Sequence, residues 1–369
     1  MQKYYTLYFA ENMHRTMEMF SVILAVITVF SPSCFSEDIS VEPPVRVSVK
    51  DLGLLGQLSI HWSPPPSLQN VTGCSIRYQL EYFNTYKNEW RAYRTPRTSF
   101  IAQFDLGQDV RVKLRTMLRG KCTKGVERSS ETLERTWPPH LTGVAGSKVR
   151  NIRCVFHRKE DLECTWGKAA EEPHQAQRHL YYWYNGLEAV AECPEYISSG
   201  SQGGQNHTGC RFPRDKVKEF TDFNVCVNGT SAQGPLTPAY VSLQLQNHVK
   251  PGPVKVEAMS LQLKRVPEVG GEELEGVGEE LELTWLPPAG RIPPHCLEYE
   301  VTTRHTDHNG KESKTVTKTE ETSLVIPANK KKCARVRSHV HEYCSDSSIW
   351  SEWSQWTCYK MPPATVVTL

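Results

Sequence analysis

No charge of either sign dominates this chain. Its 369 residues hold 43 Lys and Arg against 41 Asp and Glu, a formal net charge of +2, so no global field points toward nucleic acid. Long helical stripes are also missing. Apolar residues recur in short alternating runs among 23 Gly and 24 Pro, which favours an all-β chain. Nucleophile elbow, phosphate loop and zinc spacing are absent, so no enzyme, cofactor or metal site is expected. His339 and His341 share a strand face, but no third ligand accompanies them, and they read as a solvated pair. Beyond the N-terminal segment no second apolar run of about 20 residues occurs, and Met361–Leu369 is no anchor. A soluble product outside the cell is therefore expected, or a truncated or spliced form of a membrane protein.

What is present begins with an export signal. Phe20–Phe30 is apolar but short for a membrane span, Lys3 and Arg15 precede it, and small residues follow. That is a secretory layout, with cleavage near residues 33–36 and a signal over 1–36. Initiation at Met13, Met17 or Met19 would make it more compact. Eleven cysteines remain after Cys34 is set aside, and in an exported protein most should pair. Sequons at Asn70, Asn206 and Asn228 fit a glycosylated surface.

A repeat sets the domain count. Leu58–Trp62 with two following prolines, then Cys74 and Tyr78, is echoed by Leu281–Trp285 with two prolines, then Cys296 and Tyr299. Each copy reads as a strand with a buried Trp, a proline-closed turn and a tyrosine-bearing strand. Cys74 to Cys122 and Cys296 to Cys344 are both 48 positions apart, so each pair is expected to form one disulfide. A loop of that length stabilises a domain by about 4 kcal/mol in the chain-entropy model. Between the copies, Leu162–Trp166, Leu180–Tyr184, Phe223–Val227 and Val241–Leu245 alternate like sandwich strands. With Trp137–Pro139 and Lys250–Pro253 as linkers, the expected domains are 40–138, 141–248 and 250–360. Glu268–Glu282, rich in Glu and Gly, reads as a solvated surface loop.

Two motifs are specific. One is Cys154-x9-Cys164-Thr-Trp166, followed by Cys193 and Cys210; the other is Trp350-Ser-Glu-Trp353-Ser354. Trp350, Trp353 and Trp356 are three apart, so in a polyproline-II-like stretch the rings share one side. Arg335 and Arg337 alternate on the preceding strand, and their guanidinium groups can slot between indoles, each contact contributing roughly 0.5–2 kcal/mol. The ladder, with Ser351 and Ser354, reads as a stiffening device and not as the binding site. The same tryptophans look like the opening of a thrombospondin type 1 repeat, but that module needs tens of further residues.

In that order and about one domain apart, the two motifs resemble the class I cytokine receptor family, over residues 40–358. The resemblance implies three fibronectin-III-like β-sandwiches, the last two forming a cytokine-receptor homology module. It implies disulfides Cys154–Cys164 and Cys193–Cys210 in the middle domain, and ligand binding on the loops where the last two domains meet. The extra N-terminal domain is similar to that of the interleukin-13, interleukin-5 and granulocyte-macrophage receptor alpha chains. The partner so implied is a four-helix cytokine of the interleukin-13/interleukin-4 group, held by a decoy with little signalling capacity.

The positions that match the family's contacts are Tyr343 and Asp346, flanking Cys344, with Glu298 beside Cys296 and Phe220 in the middle domain. A disulfide-pinned loop loses less entropy on binding, and Tyr and Asp suit a basic helix. A first-domain edge strand near Lys87–Arg94 is expected to pair with an extended cytokine segment. Lys330–Lys332 reads as a solvated turn. Cys333 and Cys358 could be joined across a hairpin, leaving Cys226 buried or available for dimerisation. A fibronectin-type adhesive matrix protein is the alternative from another class; a soluble co-receptor presenting cytokine to a signalling chain would use the same contacts.

Overall fold

A computed structural model describes residues 40–139, 143–198, 207–265, 277–306, 311–328, 331–347 and 349–360. The export segment, Asn206, Lys330 and residues 268–276 lie outside the described residues. The described chain is all-β, built of antiparallel sheets with short 3-10 turns and no α-helix among the described residues.

Three pairs of sheets follow one another. In the first module, Val45–Asp51, Gln57–Ser63 and Ser99–Gln103 form a three-stranded sheet. It faces a larger sheet in which Cys74–Asn84 lies between Glu89–Thr95 and Val110–Gly120. Alternation dictates this packing: Leu58, Ile60 and Trp62 from one sheet meet Tyr78, Leu80, Val112 and Leu114 from the other in one buried cluster. Each such side chain contributes about 1.5–3 kcal/mol on burial. The last module repeats the plan. Trp62 meets Tyr78 edge-on at 5.5 Å, and Trp285 meets Tyr299 edge-on at 5.5 Å.

The middle module pairs a five-stranded sheet containing Arg150–His157, Asp161–Gly167 and His207–Phe212 with a second containing Gln177–Tyr184 and Asp222–Ser231. Val249–Lys250, which overlaps only the first residue of the expected linker, runs parallel to Arg150–His157 and belongs to this module's sheet.

Five disulfides staple the modules. Cys74–Cys122 and Cys296–Cys344 each close 48 positions. Cys154–Cys164 and Cys193–Cys210 lie in the middle module. Cys333 and Cys358 are directly opposite in neighbouring strands and are bonded. Cys226 is unpaired and 2% exposed. Burial pushes its thiol up to about 12, so it is an inert core residue and not a dimerisation handle.

Three local expectations change. The end of the acidic stretch is not loop: Val277–Leu286 is a strand, ten register pairs long against Lys255–Arg265. Glu280, Leu281, Glu282 and Leu283 alternate, and both leucines are fully buried. Lys332 is not solvated; it is 6% exposed and its Nζ donates to the Pro327 carbonyl. His339 and His341 are likewise packed: His339 lies 4.0 Å from the Trp350 ring and His341 stacks on Tyr343.

Candidate functional site

The middle and last modules meet in an elbow whose core is continuous. Cys296, Val340 and Cys344 pack into the hydrophobic cluster of the middle module. Backbone bonds cross the joint: Ile349 N donates to the Val249 carbonyl, and Arg291 N to that of Arg158. Lys250 Nζ reaches Glu352 at 2.6 Å. The joint is thus held by buried area plus directed bonds.

On the rim of this elbow the structure places Phe220 and Tyr343, 77% and 82% exposed. Both are aromatics on pinned loops. Phe220 has φ 58, a conformation a bulky residue adopts only when its surroundings impose it. The constraint is visible next door. Glu219 is nearly buried, forms an ion pair with Lys159 Nζ at 2.7 Å and accepts from Arg214 at 3.0 Å, while Phe220 N donates to Gln246 Oε1. Tyr343 immediately precedes Cys344 of the 296–344 disulfide and rests on the His341 ring at 4.2 Å.

Asp346 is exposed but held from below. Asn247 Nδ2 donates to Asp346 Oδ2 at 3.1 Å; Asp346 N and Ser345 Oγ donate to Asn247 Oδ1. Ser347 Oγ donates to the Asn247 carbonyl. One asparagine of the middle module thereby sets the tip of the last module's loop.

Glu298 is engaged within its own sheet. It lies in the strand Leu297–Thr306, bonded to His339 Nε2 and to Lys318 Nζ, at the end of the tryptophan ladder. The ladder runs from Lys318 over Trp350, Arg337 at 4.2 Å from that ring and 4.5 Å from Trp353, Arg335 at 4.1 Å from Trp353 and 4.8 Å from Trp356, to Arg304. Ser351 and Ser354 bind it to the strand Lys331–Val340. Ser351 N donates to the Ser338 carbonyl, while Ser338 N donates to Ser351 Oγ; Ser354 and Val336 repeat the exchange. The serines replace a missing strand's hydrogen bonds, and the ladder stiffens the module beside the elbow.

The first module leans over this site. A cleft of about 690 Å³ is lined by Tyr86, Lys87 and Tyr93 on one side and Trp183, Asp222 and Asn247 on the other. Tyr93 belongs to the edge strand Glu89–Thr95, so the open edge and the elbow clamp border the same space. Asn70 is exposed and Asn228 half-buried.

Comparison with known proteins fits this geometry. A family model described as "Interleukin-6 receptor alpha chain, binding" matches residues 151–248, the middle module. Over 343 residues the chain is 35% identical to interleukin-13 receptor subunit alpha-2 of the dog, covering 92% of this chain and 83% of that one. The human protein of that name is 34% identical, with 88% and 80% covered, and human interleukin-5 receptor subunit alpha is 29% identical, with 86% and 72% covered. The chain belongs to the interleukin-13 receptor alpha-2 group of class I cytokine receptors. It is a cytokine receptor of the cell exterior or cell surface, and a cytokine is its partner.

Within the receptor, several residues of the site carried no local signal. Asn247 lies 99 positions from Asp346, and Glu219 is one more acidic residue in a mixed-charge run. Arg304 and Lys318 extend the ladder from other strands. Only the alternation of the Arg304 strand with that of Arg335, both in one sheet, could have suggested the first.

Proposed function

We propose that the receptor binds a four-helix cytokine of the interleukin-13 group at this elbow, outside the cell, and captures it without signalling or catalysis. The observation that carries the reading is the pair of exposed aromatics, Phe220 and Tyr343, on loops that an ion-pair cluster and a disulfide hold in place. Pre-set aromatic anchors give contact area at low entropic cost. Asp346 adds a carboxylate oriented by Asn247 for a basic helix. The two relatives at 34% and 35% identity are named for interleukin-13, which supports that cytokine as the ligand. The edge strand of the first module adds backbone pairing from across the cleft.

Surface plasmon resonance with interleukin-13 and interleukin-4 tests this. Tyr343→Ala and Asp346→Ala are each expected to weaken binding about tenfold, roughly 1.4 kcal/mol, with secretion unchanged. Wild-type affinity in both variants would remove the site assignment. Added to interleukin-13-responsive cells, the purified receptor is expected to lower the response; a stronger response favours a co-receptor that presents cytokine.

A further inference from the structure

We propose that the outer face of the first module's larger sheet is a binding surface for a sulfated glycosaminoglycan. The inference goes beyond cytokine capture, and Arg77, Arg115 and Arg119, on which its test rests, lie outside the elbow and the edge strand. Side chains that point away from the buried Tyr78, Leu80, Val112 and Leu114 include Arg77 on the middle strand and Arg111, Lys113, Arg115 and Arg119 on its neighbour. Cross-strand register sets Arg115 opposite Gln79, and Gln79 opposite Arg94 of the edge strand. Alternate residues on a strand are about 6.6 Å apart and neighbouring strands about 4.8 Å, so the row from Arg111 to Arg119 spans roughly 26 Å.

The charge on this face is concentrated and largely unspent. Residues 40–139 hold 15 Lys and Arg against 9 Asp and Glu, while the rest of the chain is net acidic. None of the ion pairs among the described residues involves Arg77, Arg111, Lys113, Arg115 or Arg119. Three acidic groups share the face: Glu81 and Glu134, which flank Lys113 from the two neighbouring strands, and Glu127. Glu81 accepts from Gln79 Nε2, and Glu127 meets Arg94 at 4.0 Å and shares a shallow hollow with Arg77 and Arg119. Two of the cations are held on aromatic rings instead: Arg111 lies 3.8 Å from the Phe83 centroid and Lys113 lies 4.3 Å from that of Trp90. Ring contacts fix a cation in place without neutralising it.

Such an array repels itself, and a polyanion relieves that cost. A flat sheet with cations at regular steps suits an extended chain of sulfates. A folded acidic protein would want buried apolar anchors at the centre, where this face offers Met117, itself only 5% exposed. Tyr93 lines the cytokine-side cleft, whereas Ala92 and Arg94 alternate to the other face, so both ligands can be held together.

Immobilised heparin, with desulfated heparin and phosphatidylserine vesicles as comparators, tests the proposal on the full chain. The receptor is expected to bind heparin at physiological ionic strength, lose affinity as salt rises, and ignore the desulfated chain. The triple variant Arg77→Gln, Arg115→Gln, Arg119→Gln is expected to bind heparin at least tenfold more weakly while keeping wild-type interleukin-13 affinity. Unchanged heparin affinity in that variant, no binding by the wild type, or preference for vesicles overturns it. Should the variant fold poorly, heparin protection of Arg77, Arg115 and Arg119 against an arginine-modifying dicarbonyl in the wild type reads the same face. Full modification there in the presence of heparin is equally fatal.

Discussion

Glu298 shows how one side chain can be bound up in its own module. Burial alone would raise its pKa, but the hydrogen bonds from His339 and Lys318 outweigh that and hold the carboxyl below its ordinary value of 4.5. The folded state thus prefers the charged form. Its stabilising contribution is complete near neutrality and is lost as pH falls from about 4.5 through the lowered folded pKa. Glu298→Gln is expected to lower the melting temperature by a few degrees at pH 7, with the gap closing in acid below pH 4 to 4.5; calorimetry across that range checks it. A gap that stays constant would mean the carboxylate charge is not what the ladder end uses. Because His339 packs at a tilt against the Trp350 ring, the loss should be local to the last module.

At the scale of elements, the tryptophan ladder and the asparagine clamp divide the work. The ladder stiffens the strand Lys331–Val340, while the clamp fixes the loop beyond it relative to the middle module. Asn247 takes part in bonds to Ser345, Asp346 and Ser347, each contributing about 1 kcal/mol. Its side chain makes three of these, so Asn247→Ala is expected to speed dissociation of interleukin-13 about tenfold, with module melting unchanged; a sensorgram of the dissociation phase decides. An unchanged off-rate would show that the loop is set by its disulfide alone. This contrast also explains what the sequence made legible. The 48-position cysteine repeat, the Trp-and-proline strands and the three-residue Trp spacing are local or periodic, so covalent and helical geometry carry them. Cys333 and Cys358 were readable as hairpin partners for the same reason. Asn247, Glu219 and the inward turn of Lys332 depend on neighbours brought together by folding. Glu298 was placed by its nearness to Cys296, but strand pairing turned it toward His339. Of the Val277–Leu286 strand, Leu281–Trp285 was readable from its alternation, whereas the start at Val277–Glu280 was hidden by charge, with Glu279 breaking the apolar period.

At the scale of the whole molecule, three rigid modules surround one space. The elbow supplies Phe220, Tyr343 and Asp346, and the first module closes over it with the cleft between Tyr93 and Asn247. The basic sheet face lies on the far side of that module, so capture of a cytokine and attachment to a polyanionic matrix are separable properties of one chain. Amide hydrogen exchange with and without interleukin-13 tests the central claim that the cytokine sits on the elbow. Slowed exchange is expected in residues 218–222 and 341–347 and in the edge strand Glu89–Thr95, with the ladder at 350–356 unchanged. A stable complex that leaves both elbow loops exchanging at their free rate would contradict it.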